Sequence, residues 1–383
     1  MALSTEKWRE DLRFFVRELT HRHRNPYHLV SKEAFEKAVA ALEARIPALQ
    51  EYEVVVGMQS LAAMIGDGHT FLGTGNLYRF FPFEAFWFGN ELRVVRTIPA
   101  YRQALGARIV QIGDCSTNDV QKRLQALIPQ GENEWYVLNQ SAYHIVRVEP
   151  LAALGVLPDV SSAPFTFEDD TGKRFVLEVA PVLPNTSLDW VDAITQKPLY
   201  LQKREEAFWF TYLPDAQTAY VQFRRYTDLD KNAERLFAFV ESHAPKRLVI
   251  DMRQNGGGNY TQAREHLIYK LQMLPSINRQ GRLFVVIGRG TFSAAMTNAT
   301  DFRRETEAIL VGEPTGARPN GYQELSPFTL PNSKLKACCS ILRYRFQDQD
   351  TPAVLPDKRI DPDWTAYKAG RDPVMEWILA QPK

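Results

Sequence analysis

The stretch RLFVVIGRGTFSAAMTNATDF, Arg282–Phe302, begins as the unbroken apolar run of a buried strand, turns at Gly288-Arg289-Gly290, and continues with Ala295, Met296, Ala299 and Phe302 at helical spacing. A strand that feeds directly into a helix is half of a βαβ unit, and the pattern extends in both directions. AFWFTYL and TAYVQF read as strands, AERLFAFVESH as a helix, RLVIDM as a strand, AREHLIYKL as a helix, and AILVGE as the strand after Phe302. That order predicts an α/β layer built on a mainly parallel sheet. Ser293 stands where strand meets helix, so its hydroxyl emerges at the carboxyl edge of the sheet, where sites in open α/β folds lie. The helix N-terminus adds backbone donors and a partial positive charge. A serine at such a junction also serves commonly as an N-cap, and the stretch alone leaves both readings open.

Upstream of Phe208 the patterning differs. Residues 5 to 65 carry two helical apolar stripes, Trp8-Leu12-Phe15-Val16-Leu19 and Phe35-Val39-Leu42-Ile46, with Asn25-Pro26 as the turn between them. After Gly66 come short alternating runs such as YRFFPFEAFWF and ELRVVRTI, then a helix over DVQKRLQALI and a hairpin of FTFEDD, TGK and RFVLEVA. The aromatic run FFPFEAFWF reads as part of a mixed β core, although a peptide groove or a subunit contact would use the same residues. The expected organisation is an N-terminal helical domain over 1–75, a β-rich region over 76–186 and an α/β domain over 187–383. No internal repeat breaks this order.

Bulk properties exclude several classes of function. With 46 basic and 45 acidic residues the net charge is +1, so no general field draws the chain to nucleic acid or to an anionic membrane. MALSTEKWREDLRFFVREL is amphipathic and charged rather than a signal peptide, and no transmembrane span is expected. Cys115, Cys338 and Cys339 are too few for a disulfide framework, which points to a reduced, cytoplasmic setting. Neither HExxH nor CxxC occurs, so no metal and no cofactor is expected. His21, His23 and His28, among arginines, read as a solvated helix end and turn.

Two further stretches carry candidate chemistry. In DMRQNGGGNY, Asp251–Tyr260, three glycines separate a strand from a helix. The loop lacks the Lys-Ser/Thr pair of a phosphate loop and the spaced glycines of a dinucleotide site. It is either a plain βα turn or an oxyanion cradle, in which the N–H of Gly257 would act with that of Ala294. In IGDGHTFL, Ile65–Leu72, His69 lies in a glycine-bracketed turn; it is a hydrogen-bonded turn residue or a general base for a serine.

LVIDMRQNGGGN, GRGTFSAAM, ILVGEPTGARPN and RIDPDW occur in the order found in the S41 peptidases, a family that includes the C-terminal processing proteases and the tricorn core protease. The resemblance covers most of the chain. DGHTF resembles the histidine motif of the tricorn-like branch, and LGARIVQIGDCSTNDVQKRLQALI resembles a degenerate PDZ-type module. What the resemblance implies is a crotonase-like C-terminal domain, serine-peptidase activity on a peptide or unfolded-protein substrate, and no cofactor. It implies Ser293 as nucleophile, Gly257 and Ala294 as oxyanion-hole backbone, and His69 as base. Where the processing proteases carry their lysine base, this chain has Arg318, which stays protonated and cannot take a proton. The acidic residue common three positions after the nucleophile is Met296, and the serine that precedes the tricorn histidine is Gly68. Asp357 is the carboxylate nearest the place of the family's orienting glutamate, with Asp67 as its rival. Two other readings stay open: an S41-fold binding protein without catalysis, and a crotonase-like enzyme handling acyl-CoA. A homo-oligomer is also left open.

Overall fold

The computed structural model describes residues 3–382, and it divides into two compact units. The first holds residues up to Glu132, Val137–Ala193 and Gly321–Tyr344; the second holds Asn133–Tyr136, Ile194–Asn320 and Arg345 onward.

The first unit opens with the helix Thr5–Arg22, which Ser4 caps by accepting the N–H of Lys7 at 3.3 Å. Its buried residues Trp8, Leu12, Phe15 and Leu19 follow the expected stripe. Helices Lys32–Arg45 and Glu51–Ile65 follow, and the last ends at Gly66 with φ +107°, a left-handed stop that glycine adopts without penalty. A seven-stranded sheet comes next. Its main path runs Phe83–Phe88, Glu91–Thr97, Arg108–Ile112, Ala163–Glu168, Arg174–Val179, with antiparallel pairing along the path, and two short strands join its flanks. The hairpin read at TGK is present, with Glu168 opposite Arg174. Phe81, Phe83, Phe165 and Phe167 are buried, and Phe83 meets Phe165 and Phe167 edge-on at 5.5 and 5.6 Å. The aromatic run is therefore largely core, and those edge-to-face contacts suit the ring quadrupoles. A small third sheet joins Phe71–Gly73 to Lys336–Arg345 and Asn320–Thr329, pairing Phe71 with Cys338.

The second unit is the α/β layer expected from the alternation. Six strands run, edge to edge, Lys358–Arg359, Ile309–Gly312, Leu283–Ile287, Arg247–Asp251, Thr218–Phe223 and Phe208–Leu213. All neighbours are parallel except the last pair. The central strands Arg247–Asp251 and Leu283–Ile287 are buried at every position, because a parallel sheet is covered on both faces. Helix Ala294–Glu305 buries every residue from Ala294 to Phe302, which makes it a core helix as well as the helix that starts at Ser293. The helix expected over AREHLIYKL is interrupted by a π-helical turn, Arg264–Ile268.

Among the described residues no helix is long and apolar enough to cross a membrane.

Candidate active site

Ser293 has φ 52° and ψ −127°, and its side chain makes no capping bond to the helix that follows. Positive φ on a residue with a Cβ costs on the order of 1–3 kcal/mol and persists only where the surroundings enforce it. The N-cap reading is thus set aside for a sharp strand-to-helix elbow, the backbone form that lifts a serine hydroxyl above the end of a sheet. Ala294 is the first residue of the helix, where a backbone N–H has no partner within the helix itself.

The surroundings that enforce the elbow come from the glycine loop. A Cβ at Gly257, whose φ is +108°, would lie 2.7 Å from the Ser293 Cβ and 3.1 Å from the Ala294 nitrogen, so only glycine lets these two backbones approach so closely. Gly258 meets a different wall, the Tyr226 ring, 2.6 Å from where its Cβ would be. Tyr226 in turn donates from its hydroxyl to Asn298 Oδ1 at 2.6 Å, on the helix that Ser293 begins.

Two buried polar side chains bind loop to elbow, and the sequence reading missed both. Thr291 accepts the Gly288 N–H on its hydroxyl at 3.0 Å and donates to the Met252 carbonyl at 2.8 Å, while its own carbonyl accepts the Gly316 N–H. Asn255 donates from Nδ2 to the Phe223 carbonyl at 3.1 Å and accepts the Phe292 N–H on its backbone oxygen. Its Oδ1 also accepts the Gly257 N–H at 3.0 Å. The donor assigned by resemblance to an oxyanion is here turned toward Asn255. Only the NGGGN and TFS contexts could have pointed to these residues, since neither carries a titratable group.

Next to the loop lies a buried charge cluster. Arg253 bridges Asp251 and Asp372, both at 2.9 Å, and Tyr220 donates to Asp251 Oδ2 at 2.9 Å. Burial pushes the Asp251 carboxyl above its ordinary value even against the Arg253 charge. The cluster anchors the strand end from which the loop departs.

His69 belongs to the first unit and is buried, with 5% exposure. Burial holds its imidazole below the ordinary histidine value, and the charges of Asp67 and Glu324 offset that only in part. It is therefore neutral at pH 7, the state a base requires. Its turn is braced on several sides: Gly131 N–H donates to the Gly66 carbonyl at 2.8 Å, Gly68 N–H to Glu132 at 2.9 Å, and His69 N–H to Asp67 Oδ1 at 3.1 Å. Gly68, where the tricorn motif has serine, thus contributes a backbone donor.

Other expectations land elsewhere. The Asp357 carboxylate pairs with Arg303 at 2.8 Å and accepts the Leu310 N–H at 2.8 Å, at the edge of the parallel sheet, with half of its side chain in solvent. Those bonds give it a task in the sheet margin. Met296 is fully buried in the second unit's core, and Arg318 is exposed. His23 is a correction: rather than solvated, it is 4% exposed and bonded to Asp67. A helix end rich in arginines looks solvated because sequence cannot show which ring turns inward.

No protein-family model matches the sequence, and a search of curated proteins returned no match. Solved structures do match. The structure of mature CPAF complexed with lactacystin superposes with a TM-score of 0.68 at 10% identity, over 98% of this chain and 97% of that one. The fold is that of the S41 peptidases. Structural neighbours of the S41 fold also include the photosystem II D1 C-terminal processing protease, with a TM-score of 0.45, 13% identity and coverage of 97% and 99%. The tricorn protease matches with a TM-score of 0.47, 13% identity and coverage of 98% of this chain but 36% of that chain. At these identities the likeness extends to the fold and to nothing finer.

Proposed function

We propose that this chain is a serine peptidase of the S41 type. The observation that carries the reading is the elbow: a serine at φ 52° and ψ −127°, between a buried strand and a core helix, with glycine forced beside it. Ser293 attacks the carbonyl carbon of a peptide, forming the Cβ–Oγ–C acyl bond as the amine departs, and water then hydrolyses the ester. His69 takes the serine proton and returns it to the leaving amine. The Ala294 N–H receives the developing oxyanion, and Gly257 joins it when its N–H exchanges Asn255 for the substrate oxygen. Asp357 has no part in this sequence. The substrate is an extended peptide or an unfolded segment, the layer of the second unit is crotonase-like, and the antiparallel region of the first unit is PDZ-like. A cytoplasmic location fits the reduced cysteines.

One observation favours a second reading. The Gly257 N–H is engaged by Asn255, as it would be in an S41-fold protein that binds peptides without cleaving them. A fluorophosphonate probe separates the two. Covalent labelling that Ser293→Ala abolishes, together with peptide hydrolysis, supports the enzyme; folded protein that neither labels nor cleaves is a binding module.

A further inference from the structure

The carboxylate of Asp67 is bonded on both oxygens. Oδ1 accepts the His69 N–H and the Ser340 hydroxyl, and Oδ2 accepts from His23 Nε2 at 2.9 Å. These groups come from three separated parts of the sequence, and all belong to the first unit. The His23 side chain is completely buried. Its tautomer follows from geometry: the Asn25 backbone N–H, which can only donate, points at His23 Nδ1 from 2.9 Å. Nδ1 is therefore the acceptor, and Nε2 carries the proton that Asp67 receives. The ring is held in that orientation by packing against Tyr322 at 5.3 Å and by stacking on His28 at 5.8 Å and 3°.

We infer that His23 is a positioning residue for His69: through its Nε2–H bond to Asp67 it fixes the turn that carries the base. The inference rests on the reading of His69 as that base. Asp67 holds the His69 backbone N–H, so the ring's origin is set by how firmly Asp67 itself is held. Asp67 has little freedom while donors from His23, His69, Thr70 and Ser340 converge on it. Loss of the His23 donor strips Oδ2 of that bond, in a pocket where an unmet lone pair is costly. Misplacing a catalytic group by about 1 Å costs up to 10²-fold in rate, so the expected signature lies in kcat.

Two substitutions divide the possibilities, because the two ring nitrogens do different work. His23→Gln places an amide N–H near the position of Nε2 and keeps the donor to Asp67, whereas His23→Asn places a carbonyl near Nδ1 and keeps only the Asn25 contact. Peptide hydrolysis and amide hydrogen exchange at His69 and Thr70 are measured on the full chain. The expected result is that His23→Gln stays close to wild type in both, while His23→Asn loses about tenfold or more in kcat with KM little changed. The His69 amide of the Asn variant should exchange faster by a similar factor. The reverse ranking, Asn restoring and Gln failing, would mean that His23 serves only its own turn, and the inference falls. Should His23→Asn not fold, the Gln variant decides alone: wild-type exchange at His69 supports the role and faster exchange overturns it. His69→Ala in the same assay keeps the two claims apart. If it hydrolyses peptide as wild type does, the base assignment is wrong and the catalytic purpose of His23 is wrong with it, while exchange still reports whether His23 holds the turn.

Discussion

The DGHT turn of the first unit and the second unit organise buried charge in different ways, although elsewhere the first unit also uses arginine, with Arg93 on Glu91 and Asp170 at 2.7 Å. In the second, arginines do it: Arg253 between Asp251 and Asp372, Arg264 forked onto Asp301 at 2.8 Å, and Arg289 on Glu313 at 3.1 Å. In the first, the DGHT turn relies on histidine, with His23 donating to Asp67 and His69 buried beside it. Guanidinium keeps its charge at any pH the fold survives, whereas imidazole changes charge within the physiological range. The cations of the second unit therefore keep their charge as pH changes, whereas the charge on the buried His69 imidazole depends on pH.

The largest expected effect tests the arginine side. Arg253→Met removes the cation that Asp251 and Asp372 share and leaves two buried carboxylates facing one another. Breaking one member out of a buried pair costs about 3–5 kcal/mol, softened here as Asp251 takes up a proton. Urea denaturation at pH 7 should show a loss of that order. A loss under about 1 kcal/mol would mean that the cluster is incidental to the second unit.

Gly257→Val acts on the same unit through shape. Its Cβ would fall 2.7 Å from that of Ser293, at a φ that a β-branched residue tolerates poorly. Turnover should fall by 10² or more, equivalent to about 2.7 kcal/mol of barrier, with far-ultraviolet circular dichroism unchanged. Unchanged turnover would remove the glycine loop from the mechanism.

How much of this was legible in the sequence follows from how far apart the partners lie. The parallel sheet was readable because five of its six strands announce themselves as apolar runs, and those five are neighbours in the order in which they occur; the sixth, Lys358–Arg359, is two charged residues. Ser293 and Gly257 were readable as candidates because glycines and a serine at strand ends are local signals. The strain at Ser293 was not, since φ is imposed by the loop packed against it. Nor was the sheet that pairs Phe71 with Cys338, or the bond from Ser340 to Asp67, because nothing in either segment names the other. His23 looks solvated in the sequence for the same reason: its partner is 44 residues away. Asp357 stands out in the sequence by its place in a motif, and motif position carries no information about which cation will claim a carboxylate.

The histidine side yields the next effect. His28, His69 and His144, each held below the ordinary imidazole value first of all by burial, lie in the first unit, and His144 is lowered to about 4. A histidine whose folded pKa is depressed contributes stability above its unfolded pKa, near 6.5, and that contribution is lost as pH falls toward the folded value. Between about pH 6.5 and 4 the first unit should lose on the order of 1–3 kcal/mol from His144 alone, and His144→Leu should flatten that slope. Hydrogen exchange read unit by unit should rise in the first before the second. The acid limb of kcat/KM should likewise have its midpoint below about 6.5, because His69 must be neutral to act. Simultaneous loss of protection in both units would erase the contrast.

The smallest effect is expected at Asp357, and it sharpens the contrast by showing where charge in the second unit does not matter. The pair with Arg303 leaves 47% of the Asp357 side chain and 37% of the arginine exposed, so water and salt screen most of their attraction. Pairs of that kind are worth about 0–1 kcal/mol. The bond from the Leu310 N–H is the other contribution, and asparagine can still accept it through its amide oxygen. Asp357→Asn should therefore shift the urea midpoint slightly and leave both kcat and its pH midpoint where they are. A carboxylate that oriented the base would behave otherwise: its neutralisation would depress kcat by orders of magnitude and move the acid limb, since the negative charge that favours the imidazolium would be gone. If Asp357→Asn does so, the ion pair at the sheet margin is the secondary role, and the brace on His69 lies partly outside the histidine and carboxylate network of the first unit.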